Sequence, residues 1–239
     1  MARVVGIGHQ DFETVRIKNN FYIDKTEFIK EWWEFDDAVT LITRPRRFGK
    51  TLNMDMIRTF FEKTEEDTSV YFKDKKIWEC GEKYRNYQGK YPVIFLSLKD
   101  VDGLKYENAK YRIMELIGRE AERYFFLGDS DRLSENEKEQ YKAVIALQNG
   151  KYSMDENVLT SSLRLLSHLL FQHYGEKTVI LIDEYDVPLD KAFQNGYYQE
   201  MVSLIRGLFG MALKTNDSLQ FAVLTGCLRI SKESIFTGL

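Results

Sequence analysis

Val39-Thr40-Leu41-Ile42-Thr43-Arg44-Pro45-Arg46-Arg47-Phe48-Gly49-Lys50-Thr51 decides how the chain is read. Val39 to Thr43 is a short apolar, β-branched run suited to a buried strand, and apolar residues then recur at Leu52, Met56 and Phe60, with Ile57 and Phe61 beside them, at helical spacing. Gly49-Lys50-Thr51 lies between the two. A strand, a loop and a helix in that order form an anion cradle: backbone N–H groups and the positive helix end face a phosphate, the Lys reaches the outer phosphates, and the Thr hydroxyl ligates Mg²⁺. On this reading Arg46, Arg47, Phe48, Gly49, Lys50, Thr51 and Leu52 bind the nucleotide. Arg44 stands where the pattern G-x-x-x-x-G-K-[ST] has its first glycine, and Pro45 disfavours the α region for Arg44 and fixes its own φ, so the loop should leave the strand extended and stiff. The triplet alone also fits a helix start with a surface lysine, and Arg46 and Arg47 pair with neighbouring acids as readily as with phosphate.

A second stretch shifts the balance. Thr178-Val179-Ile180-Leu181-Ile182-Asp183-Glu184-Tyr185-Asp186 is an apolar run ending in adjacent carboxylates, the pattern of a central parallel strand whose carboxyl end lies where open α/β sheets bind ligands. Asp183 would hold Mg²⁺, directly or through a water, and Glu184 would polarise the attacking water as a general base. The plainer alternative is a pair of acids opening a surface loop. Asp186 is expected to cap or shape the turn before Pro188, with a metal role the less favoured alternative.

Thr43-Arg-Pro-Arg-Arg-Phe-Gly-Lys-Thr-Leu, Ile180-Leu-Ile-Asp-Glu-Tyr-Asp-Val-Pro-Leu and Leu224-Thr-Gly-Cys-Leu-Arg-Ile-Ser-Lys-Glu-Ser-Ile-Phe-Thr-Gly-Leu together resemble the AAA-ATPase-like family of bacterial proteins. Asp11-Phe12-Glu13, Tyr22-Ile23-Asp24-Lys25-Thr26 and Tyr91-Pro92-Val93-Ile94 fit as well, so the resemblance spans almost the whole chain. It implies ATP binding by a P-loop fold, and the arginine at position 44 is usual there. It also implies a C-terminal domain of the PD-(D/E)XK nuclease superfamily after the ATPase-like domain. Because the sequence stops at Leu239, a further strand, a helical lid and that nuclease-like domain are expected to be absent from it.

With 239 residues, 44% of them hydrophobic, the chain can bury one substantial core, and one domain over 1–239 is the favoured division. The net charge of −3 supplies no general attraction to nucleic acid or anionic membrane, so any DNA binding would need a local patch. Two cysteines form neither a disulfide framework nor a zinc pattern, and no signal peptide or membrane span is seen, which together suggest a cytoplasmic protein.

The remaining segments arrange themselves around the two motifs. Asp24-x-x-Glu27 is expected to be a capping box opening a helix through Phe28, Ile29 and Trp32, with Phe21 to Lys25 either a lid over the base or packing for that helix. Tyr91 to Leu98 is a second strand, ending at Lys99 and Asp100. A helical insertion over about 101–175 follows, with helices at 104–126, from Ser134-x-x-Glu137 to Gly150, and at 158–174 before Gly175; His168 and His173 read as surface residues on it. Tyr197 to Leu213 is amphipathic, and Leu219 to Leu224 is a fourth strand delivering Thr225 to the ligand edge, where it could sense the γ-phosphate or hold the attacking water. Arg229 could be an arginine finger, in cis or across a homo-oligomer, or a salt-bridged structural residue; Arg206 is a weaker candidate.

The expected fold is therefore α/β: a three-layer P-loop NTPase with a parallel sheet of strands at 39–43, 91–98, 178–182 and 219–224. Two functions compete, and a P-loop kinase is a third that the adjacent Asp183-Glu184 and the following Thr225 argue against, since they favour water as the acceptor. In one, Lys50 binds phosphates, Thr51 and Asp183 hold Mg²⁺, and Glu184, Thr225 and Arg229 support slow ATP hydrolysis. In the other, the chain is a nucleotide-gated module that does not hydrolyse ATP and reports its state to a partner.

Overall fold

The computed structural model describes residues 4–6, 8–45 and 47–227. In chain order its elements are α1 (Phe12–Ile17), α2 (Glu27–Phe35), β1 (Val39–Thr43), α3 (Lys50–Phe61), α4 (Lys76–Glu79), α5 (Glu82–Arg85), β2 (Val93–Ser97), α6 (Tyr106–Glu122), α7 (Glu135–Ile145), β3 (Leu147–Gln148), β4 (Lys151–Tyr152), α8 (Glu156–Tyr174), β5 (Thr178–Asp183), α9 (Val187–Asn195), α10 (Tyr198–Leu213) and β6 (Leu219–Gly226). The chain divides into two compact units, residues 1–37 with 45–93, and residues 38–44 with 94–239.

The second unit carries the sheet, in the order β1-β6-β5-β2. β6 runs parallel to both neighbours, with Leu41 beside Leu224 and Ile182 beside Leu224. The last strand in sequence thus lies between the first strand and the acidic one. Every residue of β5 is buried, as its continuous apolar run requires of a central parallel strand. Alternation then sorts the side chains: Ile94, Leu96, Ile180, Ile182, Ala222 and Leu224 join one core with residues of α6, α8 and α10. The α/β class, the four-stranded parallel sheet and the helical insertion between β2 and β5 agree with the sequence expectation.

Local signals account for most boundaries. Ser134 and Glu137 form a reciprocal capping box on α7, Asp155 caps α8 through the N–H of Val158, and Gly175 ends α8 in the left-handed conformation. One boundary differs from expectation: the helix opened at Ser134 stops at Ile145, not at Gly150. Asn149 and Gly150 both adopt positive φ (53° and 73°), and this two-residue turn joins β3 and β4 as a hairpin.

The first unit is held by aromatic packing. Phe12 stacks on Phe72 (5.1 Å) and meets Tyr22 edge-on (5.3 Å), Phe60 meets both Phe61 and Phe72 edge-on, and Trp33 stacks on Tyr87 (4.0 Å). Asp55 of α3 accepts the N–H of Phe12 (2.7 Å) and pairs with Arg58 (2.8 Å); burial pushes its carboxyl pKa up despite that guanidinium. The expected capping box at Asp24 and Glu27 does not form. Thr26 occupies the N-cap of α2 without a side-chain cap, while Asp24 Oδ1 accepts from the N–H and hydroxyl of Thr26 (2.9 and 2.7 Å) and Oδ2 accepts from Lys76 N–H (3.0 Å). The carboxylate ties the α2 entrance to α4 instead.

Burial opposes ionisation of Asp24, but these hydrogen bonds win and hold its carboxyl below the usual range. A depressed pKa contributes stability that is present above the unfolded value and is lost as pH falls through the folded one. Asp24→Ala should therefore cost about 1 kcal/mol at pH 7, scaled for the group's partial exposure. Urea melts should show the difference from wild type shrinking below the ordinary carboxyl pKa.

Candidate functional site

At the carboxyl edge of the sheet, one pair beyond Ile182 and Leu224, the ends of β5 and β6 present Asp183 and Thr225 side by side. Asp183 is wholly buried, a position that an ionisable group tolerates only with hydrogen-bond partners. The Thr225 hydroxyl donates to Asp183 Oδ1 and accepts the backbone N–H of Glu184 (3.3 Å), and the Thr225 carbonyl accepts Tyr185 N–H (2.9 Å). Three consecutive residues of the acidic stretch are thus fastened to one threonine. Both hydrogen-bonding roles of its hydroxyl are in use within the edge itself.

Glu184 has φ 55°, the left-handed region that a residue with a Cβ enters at a cost of roughly 1 kcal/mol or more. The turn swings its half-exposed side chain out of the strand alternation, immediately after the buried Asp183. Such strain is concentrated at functional sites. Gly226, which ends β6, is demanded by the same turn, since a Cβ there would lie 2.6 Å from Tyr185 Cε1 and 2.9 Å from Asp186 Oδ1. Asp186 holds the N-cap position of α9 but makes no side-chain cap to it; its Oδ2 accepts the N–H of Cys227 (2.8 Å), so it steadies the chain leaving β6. Of the roles expected of Asp186, the side-chain cap is not made, and the carboxylate holds the residue after β6 instead.

The loop after β1 starts from the same strand end, where Arg44 N–H donates to the Gly226 carbonyl (3.1 Å). Within the first unit, Gly49 is the N-cap of α3 with φ 76° and ψ 21°, and it offers no side chain to the first helical turn. That turn contains no acid. Lys50 is 8% exposed and donates from Nζ to the Pro45 carbonyl (3.1 Å), so its ammonium folds back over its own loop. Thr51 and Leu52 are half-buried in the same turn, Phe48 is 58% exposed, and the exposed Arg47 adopts φ 69°. Left-handed conformations at Arg47 and Gly49 shape the loop that lacks a glycine at position 44. Helix N-termini of this kind bind anions.

Arg46 and Arg229 lie outside the described residues. Arg206 is exposed on α10. His168 Nε2 meets Glu137 Oε1 (3.0 Å) and His173 Nδ1 meets Ser130 Oγ (2.8 Å), both within the helical insertion. Among the described residues no group of three or more His, Cys, Asp or Glu side chains is arranged to hold a metal. Asp183 and Thr51 are hard oxygen donors of the kind Mg²⁺ takes together with phosphate oxygens and water. The roles of Tyr185 and Gly226 in shaping the edge escape sequence reading, because they rest on a contact between strand ends distant in the chain. No helix among the described residues is long and apolar enough to cross a membrane.

The profile of a family described as predicted AAA-ATPase matches residues 6–236. Among curated proteins, the uncharacterized protein in the vnfD 5′ region of Azotobacter chroococcum mcd 1 is 27% identical over 235 residues, which is 98% of this chain and 39% of that protein. The chain therefore spans about two fifths of that relative's length. No solved structure matches.

The hydroxyl of Thr225 gives a direct stability test of the edge. Thr225→Val removes one hydrogen bond from the buried Asp183 and one from the Glu184 N–H and should destabilise the protein by about 1–3 kcal/mol, while Thr225→Ser should cost less than about 1 kcal/mol. Equilibrium denaturation checks this, and equal stability of the two variants would contradict it.

Proposed function

The chain belongs to the predicted AAA-ATPase family, and we propose that it is a Mg²⁺-dependent ATP-binding domain that hydrolyses ATP slowly. The observation that carries this reading is the buried Asp183, held by Thr225 and followed directly by a strained Glu184 at the carboxyl edge of a parallel sheet. Only Pro45 to Gly49 separate Arg44, hydrogen-bonded at that edge, from Lys50, a span of at most ~20 Å of chain. Connectivity thus lets the loop and the acids serve one nucleotide.

In this mechanism the Lys50 ammonium exchanges the Pro45 carbonyl for the β- and γ-phosphates, and the first-turn N–H groups of α3 bind the same oxygens. Mg²⁺, held by Thr51 and Asp183, would supply charge neutralisation on those phosphates. Glu184 takes a proton from the water that attacks the γ-phosphorus, and the bond to the β–γ bridging oxygen breaks to release ADP and phosphate. Thr225 acts by fixing Asp183 and the Glu184 backbone. The γ-phosphate sensing expected of Thr225 would require its proton to leave Asp183 Oδ1 for a phosphate oxygen. Arg229 remains the proposed finger, in cis or from a second copy.

The non-hydrolysing, nucleotide-gated module draws support from the loop, where Arg44 and the left-handed Arg47 occupy a segment usually relaxed by glycine. Either form would report its nucleotide state to a further domain, such as the nuclease-like one, to DNA or to another protein. A cytoplasmic location belongs to the same proposal.

Calorimetry and turnover together separate these readings. Lys50→Ala should weaken Mg·ATP binding by ~10²-fold, to a level still measurable at high concentration, whereas Glu184→Gln should keep the affinity and lose turnover by ~10²–10³-fold. Unchanged turnover in Glu184→Gln would end the general-base assignment.

A further inference from the structure

One buried polar group at the sheet edge has no part in the mechanism above. Ser97 ends β2. Its neighbours Leu96 and Leu98 belong to the core shared with the insertion helices, so strand alternation turns Ser97 to the opposite face. Leu98 N–H donates to the Asp183 carbonyl (2.9 Å), which in parallel pairing sets Ser97 level with Asp183. The register of β5 on β6 likewise sets Asp183 level with Thr225. Three adjacent strands therefore present Ser97, Asp183 and Thr225 as one row on one face, with strands about 4.8 Å apart.

Asp183 is thus flanked by two hydroxyls of different standing. Thr225 spends its hydroxyl on Asp183 and Glu184. Ser97 Oγ is buried and has no hydrogen-bond partner among the described residues. A buried hydroxyl left so is a cost to folding that alanine would avoid, and native proteins keep few of them without a ligand to satisfy.

We propose that Ser97 is a positioning residue for a water in the hydration shell of the divalent cation that accompanies the nucleotide. The proposal rests on the Mg·ATP reading of the edge. Mg²⁺ gives up its waters reluctantly, and a cation-bound water is a strong two-proton donor. Such a water donates one hydrogen bond to the Asp183 carboxylate and the other to Ser97 Oγ. Ser97 thereby orients the carboxylate's ligand without touching the phosphates.

The test uses Mn²⁺ in place of Mg²⁺, read by its electron paramagnetic resonance, alongside calorimetry of ATP with chelator present and thermal melts without ligand. Ser97→Ala should leave metal-free ATP affinity within about twofold and weaken Mn²⁺ binding to the protein–ATP complex by ~10-fold. It should also melt no lower than wild type, and Ser97→Thr should restore most of the Mn²⁺ affinity. Unchanged Mn²⁺ affinity in Ser97→Ala, a lower melting temperature, or a Thr variant as weak as the Ala variant would each overturn the assignment. A wild type that binds neither ATP nor Mn²⁺–ATP would overturn the nucleotide reading itself and this assignment with it; wild-type binding that Ser97→Ala leaves untouched defeats the Ser97 role alone.

Discussion

The Thr225 hydroxyl lies between the Asp183 carboxylate and the Glu184 N–H, and its carbonyl takes the N–H of Tyr185. Because β6 is interposed between β1 and β5, this one residue stands next to the strand that leads into the loop and beside the strand that carries the acids. Gly226, the next residue, accepts the N–H of Arg44 and leaves no room for a side chain against Tyr185 and Asp186. A small displacement of the end of β6 would therefore change the support of the loop entrance and of both carboxylates together. The burial of Asp183 makes the arrangement costly to break, since its carboxylate has no solvent to fall back on.

Left-handed backbone at Asn19, Asp36 and Asn149 falls on residue types that tolerate it, whereas at the edge and its loop it falls on types that do not. α7 has a reciprocal capping box, α8 and α9 end at left-handed glycines, and the sheet alternates cleanly into its helical core. Against that background Glu184 and Arg47 hold left-handed conformations with long side chains, and Ser97 buries a hydroxyl that has no hydrogen-bond partner among the described residues. Departures of this kind, each costing of order 1 kcal/mol or more, persist where a ligand or a reaction rewards them.

The strands were legible because their apolar runs are short, β-branched and unbroken, and the acids were legible because they end such a run. The helix from Glu156 to Tyr174 could be read from its leucine spacing and Gly175, and α7 from Ser134 and Glu137. The Asn149-Gly150 hairpin was hidden because a glycine after an apolar helix also reads as its cap, and only positive φ at both residues decides for the turn. Asp24 misled for a related reason: its spacing to Glu27 fits a capping box, but a longer-range bond to the Lys76 N–H claimed the carboxylate. The engaged hydroxyl of Thr225, the bond from Cys227 to Asp186 beyond the strand ends and the position of Ser97 depend on strand order and register. No local pattern encodes those.

Whether the loop lysine and the edge aspartate serve one nucleotide is tested most directly by a double-mutant cycle on Mg·ATP affinity, measured by calorimetry for wild type, Lys50→Ala, Asp183→Asn and the double variant. A shared nucleotide gives losses that do not add, with a coupling of about 1 kcal/mol or more and a double variant little weaker than Lys50→Ala alone. Fully additive losses, or an Asp183→Asn variant that binds Mg·ATP like wild type, would contradict the shared site.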